Sequence, residues 1–206
     1  MLISVCILVK DASTTFEQAM VTALSLGDEV ILRVDDSSSD PSMEMAERFE
    51  RELKNVRVVP YTFVDFGSAR NGLIHEAQGE WIFMLDADET IDILDCIAIR
   101  NWLLTSPPKH IYSFPRKNWQ NFERTNFRTD HYPDNQHRLF PNDGVVNYGE
   151  QKVHEMPKGQ PASPCPLRNI HINHFCFAIR GHEEWHAVNQ FYKKLGSQLK
   201  DIDPDG

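Results

Sequence analysis

Glu80-Trp81-Ile82-Phe83-Met84-Leu85-Asp86-Ala87-Asp88-Glu89 is the stretch on which the reading of the fold turns. Trp81 to Leu85 is short, apolar and rich in β-prone side chains, so it reads as a buried strand. Asp86, Asp88 and Glu89 follow where such a strand leaves its sheet. In open α/β sheets, ligands bind just beyond the carboxyl ends of the strands. Two aspartates one residue apart offer hard oxygen donors to Mg²⁺ or Mn²⁺, and such a cation can hold a diphosphate. Aspartate is also common in plain turns, so the pair takes its meaning from what surrounds it.

Upstream, Ile3 to Val9 is a continuous apolar run, the pattern of a central parallel strand covered on both faces. Lys10-Asp11-Ala12-Ser13 is a loop. Phe16 to Leu26 has helical spacing, with Ser13 or Thr14 as N-cap and Gly27 as the stop. Glu29 to Val34 is a second strand and ends in Asp35-Asp36-Ser37-Ser38-Ser39-Asp40. Asp40 is placed to cap the next helix, with Pro41 at its first position, and that helix runs to about Lys54. Asn55 to Pro60 is a third strand. Gly67-Ser68 opens a helix through Ala77, closed by Gly79. Residues 1–90 therefore alternate strand and helix, the signature of a doubly wound parallel sheet.

Beyond Glu89 the rhythm changes. Ile91 to Leu104 reads as an amphipathic helix stopped by Pro107-Pro108. Ile111 to Trp119 is a strand, and Asn121 to Asn135 a long polar and aromatic loop of the kind that is usually functional. His137 to Pro141 and Val145 to Tyr148 are short strands around the turn Asn142-Asp143-Gly144. Asn169 to Phe177 is a last strand, and His182 to Lys200 a helix before an acidic tail.

The chain has 206 residues, 41% hydrophobic and 25% charged, which suits one globular domain with a proper core. A net charge of -9 speaks against a nucleic-acid partner, because no basic surplus exists to neutralise phosphates. An anionic small ligand would then need a local cation. Cys6, Cys96, Cys165 and Cys176 lack C-x-x-C spacing and read as free thiols of a reducing compartment. No apolar run approaches the roughly 20 residues of a transmembrane segment. The expectation is a cytoplasmic protein, with room for peripheral membrane contact.

In order and spacing, several pieces together resemble the family 2 glycosyltransferases of the GT-A fold, over roughly residues 2 to 178. They are Ile3-Ser4-Val5-Cys6-Ile7-Leu8-Val9-Lys10, Val34-Asp35-Asp36-Ser37-Ser38-Ser39-Asp40, Asp65-Phe66-Gly67-Ser68-Ala69-Arg70-Asn71, Leu85-Asp86-Ala87-Asp88-Glu89, Gln136-His137-Arg138-Leu139-Phe140 and Val153-His154-Glu155. The resemblance implies an α/β, Rossmann-like, mostly parallel central sheet flanked by helices, with a smaller mixed C-terminal part. It implies one GT-A domain over 1–206, divided into a nucleotide-binding half (1–90), an acceptor and metal half (91–180) and a C-terminal helix and tail (181–206). It also implies transfer of a sugar, with inversion, from a nucleoside-diphosphate sugar to a hydroxyl acceptor. A UDP-linked donor is favoured, Mn²⁺ or Mg²⁺ assists, and the acceptor is a glycan, a lipid-linked molecule or a protein.

By the same resemblance, Val9, Lys10 and Asp11 line the nucleoside pocket and Asp35 faces the base. Arg70 lies near the diphosphate. Asp86, with Ala87 beside it, faces ribose and metal, and Asp88 binds the metal. His174 resembles a late metal-ligand histidine, and Arg138 reaches a phosphate or the acceptor. Glu155 is the first choice of general base and Asp134 the second, since an inverting transfer needs one group to take the acceptor proton. Glu89 supports the site from behind. Lys10-Asp11 departs from the more usual Lys-Asn.

His182-Glu183-Glu184-Trp185-His186 also matches H-E-x-x-H, which would set two histidines on one helix face as zinc ligands, with Glu183 as base. The extended form fails, because Asn189 and Tyr192 occupy the places of its Gly and His. A zinc hydrolase is thus the lesser alternative. A nucleotidyltransferase would open with a Gly-rich phosphate loop, which Lys10-Asp11-Ala12-Ser13 is not. A non-catalytic nucleotide-sugar or glycan-binding module would bind nucleotide and metal without turning over the donor.

Overall fold

The computed structural model of the chain describes residues 2–130, 132–149, 155–167 and 169–179. Four strands, β1 (Ile3–Val9), β2 (Glu29–Asp35), β3 (Val56–Tyr61) and β4 (Trp81–Asp86), lie in the order β3-β2-β1-β4, all parallel. Between them run α1 (Phe16–Leu26), α2 (Ser42–Glu52) and α3 (Phe66–Glu76). Successive strand residues point to opposite faces, and the apolar runs serve both. Val5, Ile7, Val9, Leu32, Phe83 and Leu85 pack on one side with Phe16 and Met20 of α1. Cys6, Ile31, Ile82 and Met84 pack on the other with Leu73 of α3. Two-sided burial explains why β1 and β4 read as nearly unbroken apolar stretches.

Helix starts differ in detail from the expectation. The cap of α1 is Thr15, without a side-chain cap bond, and the Ser13 amide donates to Asp40 Oδ2 at 2.7 Å. Asp40 also accepts from Ser42 N at 3.0 Å, and Pro41 takes the cap position of α2. α3 starts at Phe66, where Asp65 caps it by accepting from Ser68 N at 2.7 Å.

After Asp86 the chain turns into β5 (Glu89–Thr90), α4 (Ile93–Leu103), β6 (Ile111–Asn118) and β7 (Asp134–Pro141). Then come β8 (Asn147–Tyr148), β9 (Pro157–Lys158), β10 (Ala162–Pro164), β11 (Ile172–His174) and the short α5 (Cys176–Ile179). The main sheet continues as β4-β7-β6-β11-β5, with β10 also on β6, while β8 and β9 form a separate pair. β7 is antiparallel to β4 and β6, and β11 runs parallel to β6 and antiparallel to β5. The sheet is mostly parallel, as expected.

Three corrections concern this half. The loop expected through Asn135 ends two residues sooner, because β7 starts at Asp134. The strand expected over Asn169 to Phe177 is only Ile172–His174 before the chain coils into α5. β5, β9 and β10 have two or three residues, too few to carry a period in sequence. The helix expected over His182 to Lys200, and with it the H-E-x-x-H stretch His182, Glu183 and His186, lies outside the described residues. Among the described residues no helix is long and apolar enough to cross a membrane.

This topology brings the ends of β4, β6 and β11 and the start of β7 together. His174 is in register with both Glu89 and Asn118, and Arg116 with Asp134. At the other end of the sheet, β1 and β4 are joined tightly through Gly79, where an added Cβ would meet Ser4 N and Oγ at 2.6 Å and Leu2 O at 2.8 Å. Two of those atoms are backbone and cannot swing aside. Gly79→Ala should therefore destabilise the fold by about 1–3 kcal/mol, read as a lower urea midpoint. An unchanged midpoint would refute the close approach.

Candidate active site

The loops that follow β1 and β2 form one unit. Lys10 Nζ donates to Asp35 Oδ2 at 2.8 Å and to Ser37 Oγ at 2.6 Å. Asp35 Oδ1 accepts from Ser37 N and Oγ. Asp11 stands at φ 45°, a left-handed position that aspartate tolerates, and accepts from Ser39 N at 2.6 Å. Burial by itself disfavours the charged form of Asp35, but the Lys10 and Ser37 bonds prevail and hold its pKa below the usual carboxylate value. Val9 is fully buried and Ala87 nearly so, so neither presents a surface of its own to a ligand here.

At the end of β4, Asp86 meets two guanidiniums. Its Oδ1 accepts from Arg70 Nη2 at 2.8 Å, and its Oδ2 accepts from Arg138 Nη2. Burial works against ionisation, yet Arg138 and Arg70 outweigh it and keep the carboxyl well below its ordinary pKa. Arg70 Nε donates to Glu155 Oε1 at 2.6 Å. Arg138 Nη2 also donates to Glu89 Oε1 at 2.6 Å, and Arg116 Nη1 approaches the same oxygen at 3.2 Å. Arg116 reaches Asp134 Oδ2 through Nε at 2.8 Å and Nη2 at 2.6 Å. Asn118 Nδ2 at 3.2 Å and Gln136 Nε2 at 2.7 Å complete the donors to Asp134. Burial opposes its charge too, but Arg116, Asn118 and Gln136 draw its pKa down.

Asp88 lies beside this network, with Oδ2 3.4 Å from His174 Nε2. Phe175 N donates to the Asp88 carbonyl at 3.0 Å, which ties the acidic turn to the end of β11. His174 Nδ1 is 2.6 Å from Asn118 Oδ1 and 3.4 Å from Cys176 Sγ.

The structure thus gathers Arg70, Asp86, Asp88, Asp134, Arg138, Glu155 and His174 at one edge, with Lys10, Asp11 and Asp35 on the neighbouring strand ends of β1 and β2. It turns both oxygens of Asp86 to arginines. Arg116 and Asn118 were not foreseen. Their signal was the strand Ile111–Asn118 itself, where alternate residues share a face: Phe114 sits in the core, then Arg116 and Asn118 follow on that face. A buried charge at a core-facing strand position marks a site or an ion pair.

The model of Glycosyl transferase family 2 matches residues 4–180. The chain belongs to that family. It is 26% identical over 92 residues to a cholesterol galactosyltransferase of Borreliella burgdorferi, a match covering 44% of this chain and 26% of the relative. The chain thus spans about a quarter of the curated relative that it matches. Among solved structures it resembles S. aureus TarS 1-349 in complex with UDP-GlcNAc, with a TM-score of 0.60 at 14% identity, covering all of this chain and 70% of the other. It also resembles the mannosyltransferase PcManGT from Pyrobaculum calidifontis in complex with GDP-Man and Mn²⁺, with a TM-score of 0.58 at 15% identity, covering 98% and 66%. The fold is that of the GT-A glycosyltransferases.

Removing Arg138 takes a partner from the fully buried Glu89 and from the partly open Asp86. Arg138→Met should lower stability by about 3–5 kcal/mol, measured by chemical denaturation. A loss below about 1 kcal/mol would mean that the pair behaves as an exposed one.

Proposed function

We propose that this chain is the catalytic part of a glycosyltransferase that moves a sugar, with inversion, from a nucleoside-diphosphate sugar to an acceptor hydroxyl, assisted by Mn²⁺ or Mg²⁺. One observation carries the reading: Asp88 and His174 face each other at 3.4 Å at the joined strand ends, beside the arginine-held Asp86. The donor class is supported by neighbours solved with UDP, UDP-GlcNAc and GDP-Man. A UDP-linked sugar is favoured. The acceptor class stays open among a glycan, a lipid-linked molecule and a protein. All four cysteines are free, which supports a reducing, cytoplasmic setting.

The donor set fits such a cation. A carboxylate oxygen and an imidazole nitrogen suit Mn²⁺, and their separation is close to that of adjacent ligands. Among the described residues no group of three or more His, Cys, Asp or Glu forms a cage. A two-ligand site completed by substrate phosphates and water is the usual arrangement for Mg²⁺-like ions. Charge gives a second reason. Three guanidiniums, of Arg70, Arg138 and Arg116, face the carboxylates of Asp86, Glu89, Asp134 and Glu155, so the network has no positive surplus to offer a diphosphate. When bound, a divalent cation supplies positive charge against the departing diphosphate.

The chain's own residues do the remainder. Lys10, Asp35 and Ser37 hold a preformed floor for the nucleoside. Arg70 fixes Asp86 and Glu155 relative to each other. Glu155 is the proposed base, because Arg70 engages Oε1 while Oε2 has no hydrogen bond among the described residues. Asp134 is saturated by four donor contacts and depressed in basicity, which suits it poorly to taking a proton.

Asp88→Ala should weaken Mn²⁺-dependent UDP binding by about 100-fold, and EDTA should do the same to the wild type. Titration calorimetry measures both, and full binding by the variant would overturn the assignment. Glu155→Gln should bind UDP normally and lose about 10²–10⁴-fold in turnover.

A further inference from the structure

His174 can offer Nε2 to a cation held by Asp88 only if its proton sits on the other ring nitrogen. We infer that Asn118 is the positioning residue that enforces this, with Asp134 as its anchor; the inference rests on the metal reading above.

An ionised carboxylate only accepts hydrogen bonds. Asn118 lies 3.2 Å from Asp134 Oδ2, so its NH₂ group must face Asp134. Its carbonyl oxygen then faces His174 Nδ1 at 2.6 Å. An amide oxygen cannot donate, so Nδ1 must carry the hydrogen of that contact. In a neutral imidazole this leaves the Nε2 lone pair directed at Asp88, 3.4 Å away. The reversed amide would set oxygen against carboxylate, acceptor on acceptor, and force the proton onto Nε2. With Nδ1 protonated, Cys176 Sγ, 3.4 Å from it, can only accept weakly from the same N–H.

The anchor is itself fixed. Arg116 grips Asp134 Oδ2 with two nitrogens, Gln136 holds Oδ1, and Arg116 leans on the fully buried Glu89. The strand register sets the spacing, with Asn118 opposite His174 and Arg116 opposite Asp134. The saturated carboxylate Asp134, which the transfer itself leaves unused, thereby acquires a purpose. It orients an amide that orients an imidazole. Groups behind metal ligands commonly act in this way.

Asn118→Leu keeps the branched shape and removes both contacts. With UDP present, it should weaken Mn²⁺ binding by about 10–100-fold, while UDP affinity without metal stays within about twofold. His174→Ala should weaken Mn²⁺ similarly, and the double variant should bind no worse than His174→Ala alone. Independently of metal, long-range ¹H–¹⁵N spectra of the wild type should show a proton on Nδ1. Should Asn118→Leu fail to fold, Asp134→Ala removes the acceptor that turns the amide and should weaken Mn²⁺ likewise. A bare Nδ1, a silent Asn118→Leu, or additive losses in the double variant would overturn the inference. If His174→Ala itself leaves Mn²⁺ affinity intact, the metal reading falls and takes this inference with it. If His174→Ala weakens binding and Asn118→Leu does not, only this inference falls.

Discussion

A carboxylate without access to water sits at the junction of the two halves of the sheet. Glu89 is 0% exposed. Its Oε1 accepts from Arg138 and Arg116, and its Oε2 lies 3.3 Å from the Asp86 amide. An ion in so dry a place is tolerated only when it is paired and hydrogen-bonded. Both arginines must therefore be present, and each belongs to a different strand, β7 and β6. The turn that leaves β4 is in this way locked to the two strands that bring Asp134, Asn118 and, through β11, His174. A buried ion pair is poor evidence of net stability. What it does supply here is position.

Alternation of sign follows from that constraint. Moving outward from Glu89, each arginine ends on a second carboxylate, Asp86 by way of Arg138 and Asp134 by way of Arg116. Those outer carboxylates are partly open, with side chains 25% exposed, whereas Glu89 is closed. The network has a dry middle and two wet ends. A bound ligand meets carboxylates already oriented by charge, and the fold needs no rearrangement to present them.

How much of this was visible in the sequence divides at Asp86. The parallel strands β1 to β4 are long, largely apolar and punctuated by helices, so the sequence pattern alone places them. Past that point the strands shorten, β7 runs antiparallel, and β5 has two residues that only a partner strand can define. Sequence order put Asp88 and His174 far apart, and the resemblance to a family suggested their meeting. Arg70 and Arg138 could be nominated, but not that they would clasp the same aspartate. That outcome depends on α3 and β7 converging from opposite sides of β4, a matter of topology rather than of local pattern. Arg116 and Asn118 escaped notice because a strand of mixed character hides which of its faces is the core.

Strand β6 shows how the fold passes from packing to chemistry over a few residues. Phe114 is buried in the hydrophobic core, Arg116 two positions on carries charge into the dry junction, and Asn118 two further on stands at the rim against His174. One pleat supplies hydrophobic attachment, ionic registration and polar orientation in sequence. A strand anchored at one end by apolar packing holds its far end rigidly, which suits a site whose contacts must be set to fractions of an ångström. The loops after β1 and β2 follow the same rule by other means, tied to each other through Asp11, Ser13, Asp35 and Asp40 rather than left to be ordered by a ligand. A ligand seated on these loops would cost little backbone freedom, and more of its contact energy would appear as affinity.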